Sequence, residues 1–326
     1  MTARIEVLEA GLSTTVQARG RCGWRAFGVG AAGALDSHSS RIANLLVGNG
    51  PDAAMLEIAL HGPLLRASVA LHVALTGAEI EADFDGVPVP MWRPVDLPAG
   101  GQLRLGHCRR GTRAYLAIAG GIDVAPVLGS RATDLRAGFG GLSGRALQAR
   151  DRISVDALAE DADALRAAPW WVDPSPELDF DLPALARVLP GAQRCTEAAE
   201  SAWFASGYRV AAASDRVGLR LEGPRLELAA PATGVSEPVA PGTVQLPPDG
   251  QPIVLMGECG TVGGYPRIGH VFAADLPRLA QLRPGETLHF VPGTIQQADL
   301  AACQWRRRLA RIAVAIEAHG GRAARA

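Results

Sequence analysis

The chain has no lysine: all 32 basic residues among its 326 are arginine. A GxxxxGK[ST] phosphate loop is therefore absent, and no strand–GxGxxG–helix unit replaces it. No CxxC pair occurs. The five cysteines (Cys22, Cys108, Cys195, Cys259, Cys303) are odd in number and far apart, which argues against a metal cluster or a disulfide framework. No apolar run approaches the roughly 20 residues that span a bilayer. The opening MTARIEVLEAG lacks the continuous apolar core of a signal peptide. These absences lead us to expect a soluble, cytoplasmic protein with reduced thiols and no bound metal. Charge of one sign is missing too: 32 basic residues face 33 acidic ones, for a net charge of −1. Nothing in that balance suggests a nucleic-acid or membrane partner. The densest basic run, Arg306-Arg307-Arg308, reads as the solvated face of a helix.

Glycine (38) and proline (23) are plentiful and punctuate short apolar runs. That is the pattern of a mainly β protein with a few helices. Candidate strands are 72–77, 101–106, 113–120, 251–257 and 286–291, and the nearly all-apolar RAYLAIAG (113–120) should be buried on both sides. Asp36 is placed to cap a helix carrying Ile42, Leu45 and Leu46 on one face, with Gly48 or Asn49 as its stop. A short helix is expected in 273–282 and the longest one from Gln296 to Ala318, where Leu300, Cys303, Leu309, Ile312, Ala313 and Ile316 only partly keep helical spacing.

The length suggests two domains. An Ala/Asp/Pro-rich stretch places the boundaries at 1–160, a linker over 161–184, a second domain over 185–294 and a helical tail over 295–326. The halves share a faint pattern. VALTGAEI…VDLPAGGQLRLG and IVLMGECG…ADLPRLAQLRPGETLHF each run from a buried strand ending in glycine through an Asp-Leu-Pro to another strand. This suggests two related barrel-like units.

The segment GECGTVGGYPRIGH (257–270) leaves a hydrophobic strand and turns loose and polar. Gly260, Gly263 and Gly264 allow positive φ and remove side-chain bulk, so main-chain N–H groups could approach a ligand beside Thr261. Glu258 could act as general base or orient a water, Tyr265 could donate to a substrate oxygen, and Arg267 could grip a carboxylate. Cys259, with His270 eleven residues on, raises a nucleophile reading, but a buried thiol that merely packs is the commoner case. Gln245 could place an amide in the site. Arg41 and, in the glycine-rich GSRATDLRAGFGGLSGR (129–145), Arg131 and Arg136 are anion-binding candidates, with pairing to Asp134 as the bland alternative. Asp215 and Arg216 read as a structural ion pair.

Five phrases carry a family resemblance: GALDSHSSRIANLLVGN (33–49), YLAIAGGIDVAPVLGSRATDLRAGFGGLSGRAL (115–147), SDRVGLRLEG (214–223), SEPVAPGTVQLPPDGQPIVLM (236–256) and GGYPRIGHVFAADLPRLAQLRPGE (263–286). Together they resemble the biotin-dependent carboxyltransferase-like family, which contains the C component of 5-oxoprolinase, allophanate hydrolase subunit 2 proteins and one half of the urea carboxylase carboxyltransferase domain. The resemblance implies two cyclophilin-like β-barrel domains and a site near their cleft. It also implies a companion subunit resembling the B component of 5-oxoprolinase, and a third, lactam-utilisation protein resembling the A component. The activity implied is ATP-dependent opening of a small cyclic amide, with ATP required at the level of the complex. The alternatives are a non-catalytic binding partner of the companion, or carboxyl transfer from biotin to a urea-like substrate. In that last case the biotin is carried elsewhere, since this chain has no lysine to hold it. Two loops depart from the family pattern. Where members read roughly ADxQTTGGYP, this chain has Glu258, Gly260 and Val262. Where they read QDxGRxGY, Gln17 is followed by Ala18, and Arg19, Gly20, Arg21, Cys22, Gly23 and Trp24 complete the phrase. Glu258 lengthens the family's acid, and the changes at Ala18, Gly260 and Val262 each remove a polar group from an expected site loop.

Overall fold

The computed structural model describes residues 3–155, 163–176, 178–231 and 234–319. The chain divides into two compact units: residues 1–21, 36–179 and 308–326 form the first, and residues 22–35 and 180–307 the second. The segment read from sequence as a linker is partly outside the described residues, at 156–162 and 177. Of the rest, Arg166–Ala167 is a strand paired to the first unit.

Ten strands build the first unit. They are β1 (Ala3–Glu9), β2 (Ser13–Gln17), β3 (Met55–Ala59), β4 (Leu64–Ala67), β5 (Leu71–Phe84), β6 (Val87–Pro88), β7 (Pro94–Leu97), β8 (Gln102–Ile118), β9 (Arg152–Val155) and β10 (Arg166–Ala167). They form one branched sheet in the order β10-β7-β5-β8-β4-β1-β9, with β2 joined through β3 to β8 and β6 joined to β5. The two strands expected at 101–106 and 113–120 are one: β8 runs unbroken because β5 pairs along it and bulges absorb the irregular residues between them. Gly77 and Gly111 sit in the left-handed region there, and a Cβ on Gly77 would overlap the Arg113 carbonyl. Ala114 to Ala119 are all buried, as their apolar run implied.

Helix α1 (Ser37–Leu46) packs on β5 and β8. Its start is set by Asp36, whose carboxylate accepts the N–H groups of His38 (3.1 Å) and Ser39 (2.9 Å) and the Ser39 hydroxyl (2.7 Å). The Asp36 N–H donates to the Tyr115 hydroxyl, which donates in turn to Glu57, both at 2.8 Å. Ile42, Leu45 and Leu46 are buried, matching the apolar face seen in sequence.

The second unit holds β11 (Ala184–Pro190), β12 (Gly207–Val210), β13 (Gly218–Glu222), β14 (Glu237–Pro238), β15 (Thr243–Gln245), β16 (Ile253–Leu255), β17 (Val262–Gly263), β18 (Arg267–Val271) and β19 (Thr287–Pro292). Seven close into a barrel in the order β11-β18-β15-β16-β13-β12-β19, and β14 pairs with β17 as a separate ribbon. Val188, Leu219, Val244, Val254, Leu288 and Phe290 fill the interior from alternating positions. Helix α2 (Glu197–Ala205) lies on β19 and the short α3 (Leu276–Leu279) on β11. The Asp-Leu-Pro shared by the two halves therefore ends a strand in one unit and starts a helix in the other. Helix α4 (Ile295–Ala318) buries Ala301, Ile312 and Ile316 but leaves Leu300 exposed. Among the described residues, no helix is long and apolar enough to cross a membrane, and no group of three or more His, Cys, Asp or Glu residues could hold a metal.

Candidate functional site

The loop after β16 has two characters. Its inner part is sealed: Glu258 and Cys259 are 4% and 1% exposed. Its outer part is not: Val262 is 62% and Tyr265 47% exposed. The turn begins because the Glu258 N–H donates to the Arg216 carbonyl and the Cys259 N–H to the Met256 carbonyl, both at 3.0 Å. Arg216 then clasps the same acid: its Nε donates to Glu258 at 2.6 Å, while Nη2 donates to the Gly33 carbonyl at 2.8 Å. The ion pair foreseen between Asp215 and Arg216 takes another form. Asp215 accepts the N–H groups of Val217 and Gly218, because its short side chain reaches two residues ahead, and this frees Arg216 for Glu258. Cys259 packs with Val239 and Leu255, a setting for an inert thiol. Burial lowers the pKa of His270, whose ring lies 3.5 Å from the Thr243 hydroxyl.

None of Gly260, Gly263 and Gly264 adopts positive φ, so the conformational reason for glycine fails at all three. At Gly263 the limit is packing within the chain, since a Cβ would overlap the Gln245 amide. Gln245, buried on β15, donates through that amide to the Tyr265 carbonyl at 3.3 Å. The N–H groups of Gly260, Thr261, Gly264 and Tyr265, and the Tyr265 hydroxyl, have no acceptor among the described residues. The outer loop thus presents main-chain donors.

Arg267 is already engaged. Glu237 on β14 accepts its Nε at 2.9 Å and lies 2.8 Å from its Nη2, and the Pro238 carbonyl takes Nη1 at 3.1 Å. Gln193 braces both partners, donating to Glu237 at 3.2 Å and accepting the Arg267 N–H at 2.8 Å. The remaining candidates, Arg41, Arg131 and Arg136, belong to the first unit. Arg41 lies 3.4 Å from Asp52, which Arg19 also approaches at 3.5 Å. Arg131 donates to the Val124 carbonyl at 3.0 Å. Asp134 accepts the Ala137 N–H at 2.9 Å, so it closes a turn. His38 is buried beside Arg41, and its pKa falls to about 3, first through burial and then through the arginine's charge.

Sequence reasoning missed Gln193, Glu237 and Arg25. The first two lie well before the loop in the chain, and only the closing of the barrel brings them to it. Arg25 follows the Gly23-Trp24 phrase and starts a single 3-10 turn, Arg25–Phe27, which buries none of its residues. Its Nη2 donates to the Val239 carbonyl and, at 3.0 Å, to that of Gly260. Its Nη1 is buried without an acceptor among the described residues. A separate cavity of about 40 Å³, lined by residues such as Cys195, Trp203, Phe204 and Ile268, contains none of the predicted site residues.

Residues 27–292 match the model of the carboxyltransferase domain, subdomains A and B. The chain belongs to this carboxyltransferase-domain family. Among its relatives, the Escherichia coli protein named as the C component of 5-oxoprolinase is 39% identical over 300 residues, covering 90% of this chain and 93% of the relative. The Haemophilus influenzae protein of the same name is 34% identical with the same coverage. In three dimensions the Kluyveromyces lactis urea amidolyase superposes with a TM-score of 0.85 at 27% identity over 95% of this chain. This chain spans only 20% of that enzyme. The family's mainly β architecture, with a closed seven-stranded barrel, is thus present here.

Proposed function

We propose that this chain is the C component of a 5-oxoprolinase-type enzyme, acting with companion subunits to open a small lactam at the expense of ATP. The observation that carries this reading is coverage in both directions. The relatives named for that component match this chain almost end to end, whereas it matches less than a third of the urea-processing relatives. Attack on a lactam carbonyl builds negative charge on its oxygen, and donors already aimed at that oxygen lower the barrier. The N–H groups of Gly260, Thr261, Gly264 and Tyr265 and the Tyr265 hydroxyl are the unengaged donors from which this reading draws that contact. Glu258 has a holding role in this reading, because its carboxylate is sealed against Arg216, and Arg267 positions the β14–β17 ribbon. ATP binds at the level of the complex.

The test is a reconstitution. The chain is purified with proteins resembling the A and B components of 5-oxoprolinase, and ATP-dependent glutamate release from 5-oxoproline is measured with and without it. Turnover that requires this chain, and that drops roughly tenfold or more in Tyr265→Phe, is the expected result. Tight association with the companion but no turnover would favour a regulatory binding partner, the second reading that the sealed Glu258 leaves open.

A further inference from the structure

Arg25 stands apart from the arginines that hold the site loop. Arg216 and Arg267 each face a carboxylate, at 2.6 Å and 2.8 Å. Arg25 is half-buried, its acceptors are two neutral main-chain carbonyls, and no carboxylate lies within salt-bridge distance among the described residues. Carbonyl dipoles offset part of a buried cation's lost hydration, but they leave its net charge uncompensated. One whole face of the fork, Nη1, is sealed without any partner. A buried donor of this kind calls for a specific explanation. The Gly260 carbonyl that Arg25 holds shares one trans peptide group with the Thr261 N–H, which points to the opposite side, so the cation sits within the stretch of main chain that offers donors. The turn that carries Arg25 buries no side chain, so little packing opposes the small displacement that would open Nη1 to a ligand. Trp24 and Phe27, its neighbours in the chain, are exposed and in ring contact with each other at 5.9 Å.

We infer that Arg25 is the anion-binding residue of this loop and takes the carboxylate of a small carboxylate-bearing amide, leaving the amide carbonyl to the main-chain donors of residues 260–265. Carboxylate is the fitting anion because Nη1 can make a charge-assisted hydrogen bond to one carboxylate oxygen while Nη2 stays with its two carbonyls. The inference rests on the lactam reading for its substrate, but the anion site itself is testable without it.

The experiment titrates the intact chain, followed by NMR through the Trp24 indole N–H, with 5-oxoproline, 2-pyrrolidinone (the same lactam without its carboxylate), propionate and inorganic phosphate. The wild-type chain is expected to bind 5-oxoproline at least about tenfold more tightly than 2-pyrrolidinone, the loss expected for one charge-assisted contact. Arg25→Gln is expected to abolish that preference, and Arg25→Lys to keep part of it, with thermal midpoints similar in the two variants. A preference that survives Arg25→Gln overturns the assignment, as does a loss that is equal in both variants and tracks their unfolding. Arg25-dependent binding of propionate with no binding of either lactam keeps the anion site and removes the lactam reading. Binding of phosphate alone, or of no carboxylate at all, overturns the inference.

Discussion

The two units treat buried polarity differently. In the first, the buried network around α1 runs mostly through neutral donors and a cap: Asp36 takes main-chain N–H groups, Tyr115 links it to Glu57, Thr76 donates to the Ser39 carbonyl, His38 is held neutral, and the ion pair of Glu57 with Arg113 is a loose one at 3.8 Å. In the second, the loops are fastened by close ion pairs: Arg216 with Glu258, Arg187 with Asp275, Arg267 with Glu237. Neutral networks fix a helix on a sheet. Ion pairs fix loops that leave a barrel, where no ladder of main-chain bonds is available. Loops fastened from below in this way can leave their outer main chain unpaired, which is the condition a binding loop needs.

Breaking the deepest pair should have the largest effect. Replacing Glu258 by Gln strands the Arg216 charge in a site where the arginine side chain is 12% exposed, and should cost about 3–5 kcal/mol in equilibrium unfolding. The more exposed Arg267–Glu237 pair should be worth no more than about 1 kcal/mol, so equal losses in the two would erase the distinction between sealed and open parts of the loop. Next comes Gly263→Ala, whose Cβ would push into the Gln245 amide; a loss of about 1–3 kcal/mol is expected. In the first unit, Asp36→Ala should cost about 1–2 kcal/mol, measured as a shift in denaturation midpoint, because it removes the cap of α1. The last effect is absent at neutral pH and grows only on acidification. Unfolded His38 takes up a proton below about 6.5 and folded His38 only below about 3, so the unfolded state binds more protons between those values. Stability should therefore be complete above pH 6.5 and fall toward pH 3 with a slope of up to roughly 1.4 kcal/mol per pH unit from this residue. His38→Gln should flatten that slope, and an unchanged pH profile would show that His38 is not held neutral.

Much of this was legible in the chain itself. The cap and apolar face of α1, the burial of the apolar run within 113–120 and the long terminal helix follow from local pattern, since each is decided by residues within a few positions of one another. The mainly β class follows from glycine and proline spacing. What the sequence hid is long-range. It showed Glu258 as an acid in a polar loop but not that Arg216, 42 residues earlier, closes over it. It showed Arg267 as a candidate clamp but not Glu237 and Gln193 around it. Arg25 was one arginine among many until the barrel set it against Gly260. Nor did the sequence show that at Gly263 crowding by Gln245, rather than backbone conformation, leaves no room for a side chain.

The most direct test is a double-mutant cycle on Arg216 and Glu258, with Arg216→Gln, Glu258→Gln and the double variant compared by equilibrium unfolding. If the acid is a sealed pillar, the two substitutions should be coupled by about 2 kcal/mol or more, and the double variant should be hardly less stable than either single one. Coupling below about 0.5 kcal/mol, with Glu258→Gln as stable as the parent, would contradict it and return Glu258 to the candidates for proton transfer.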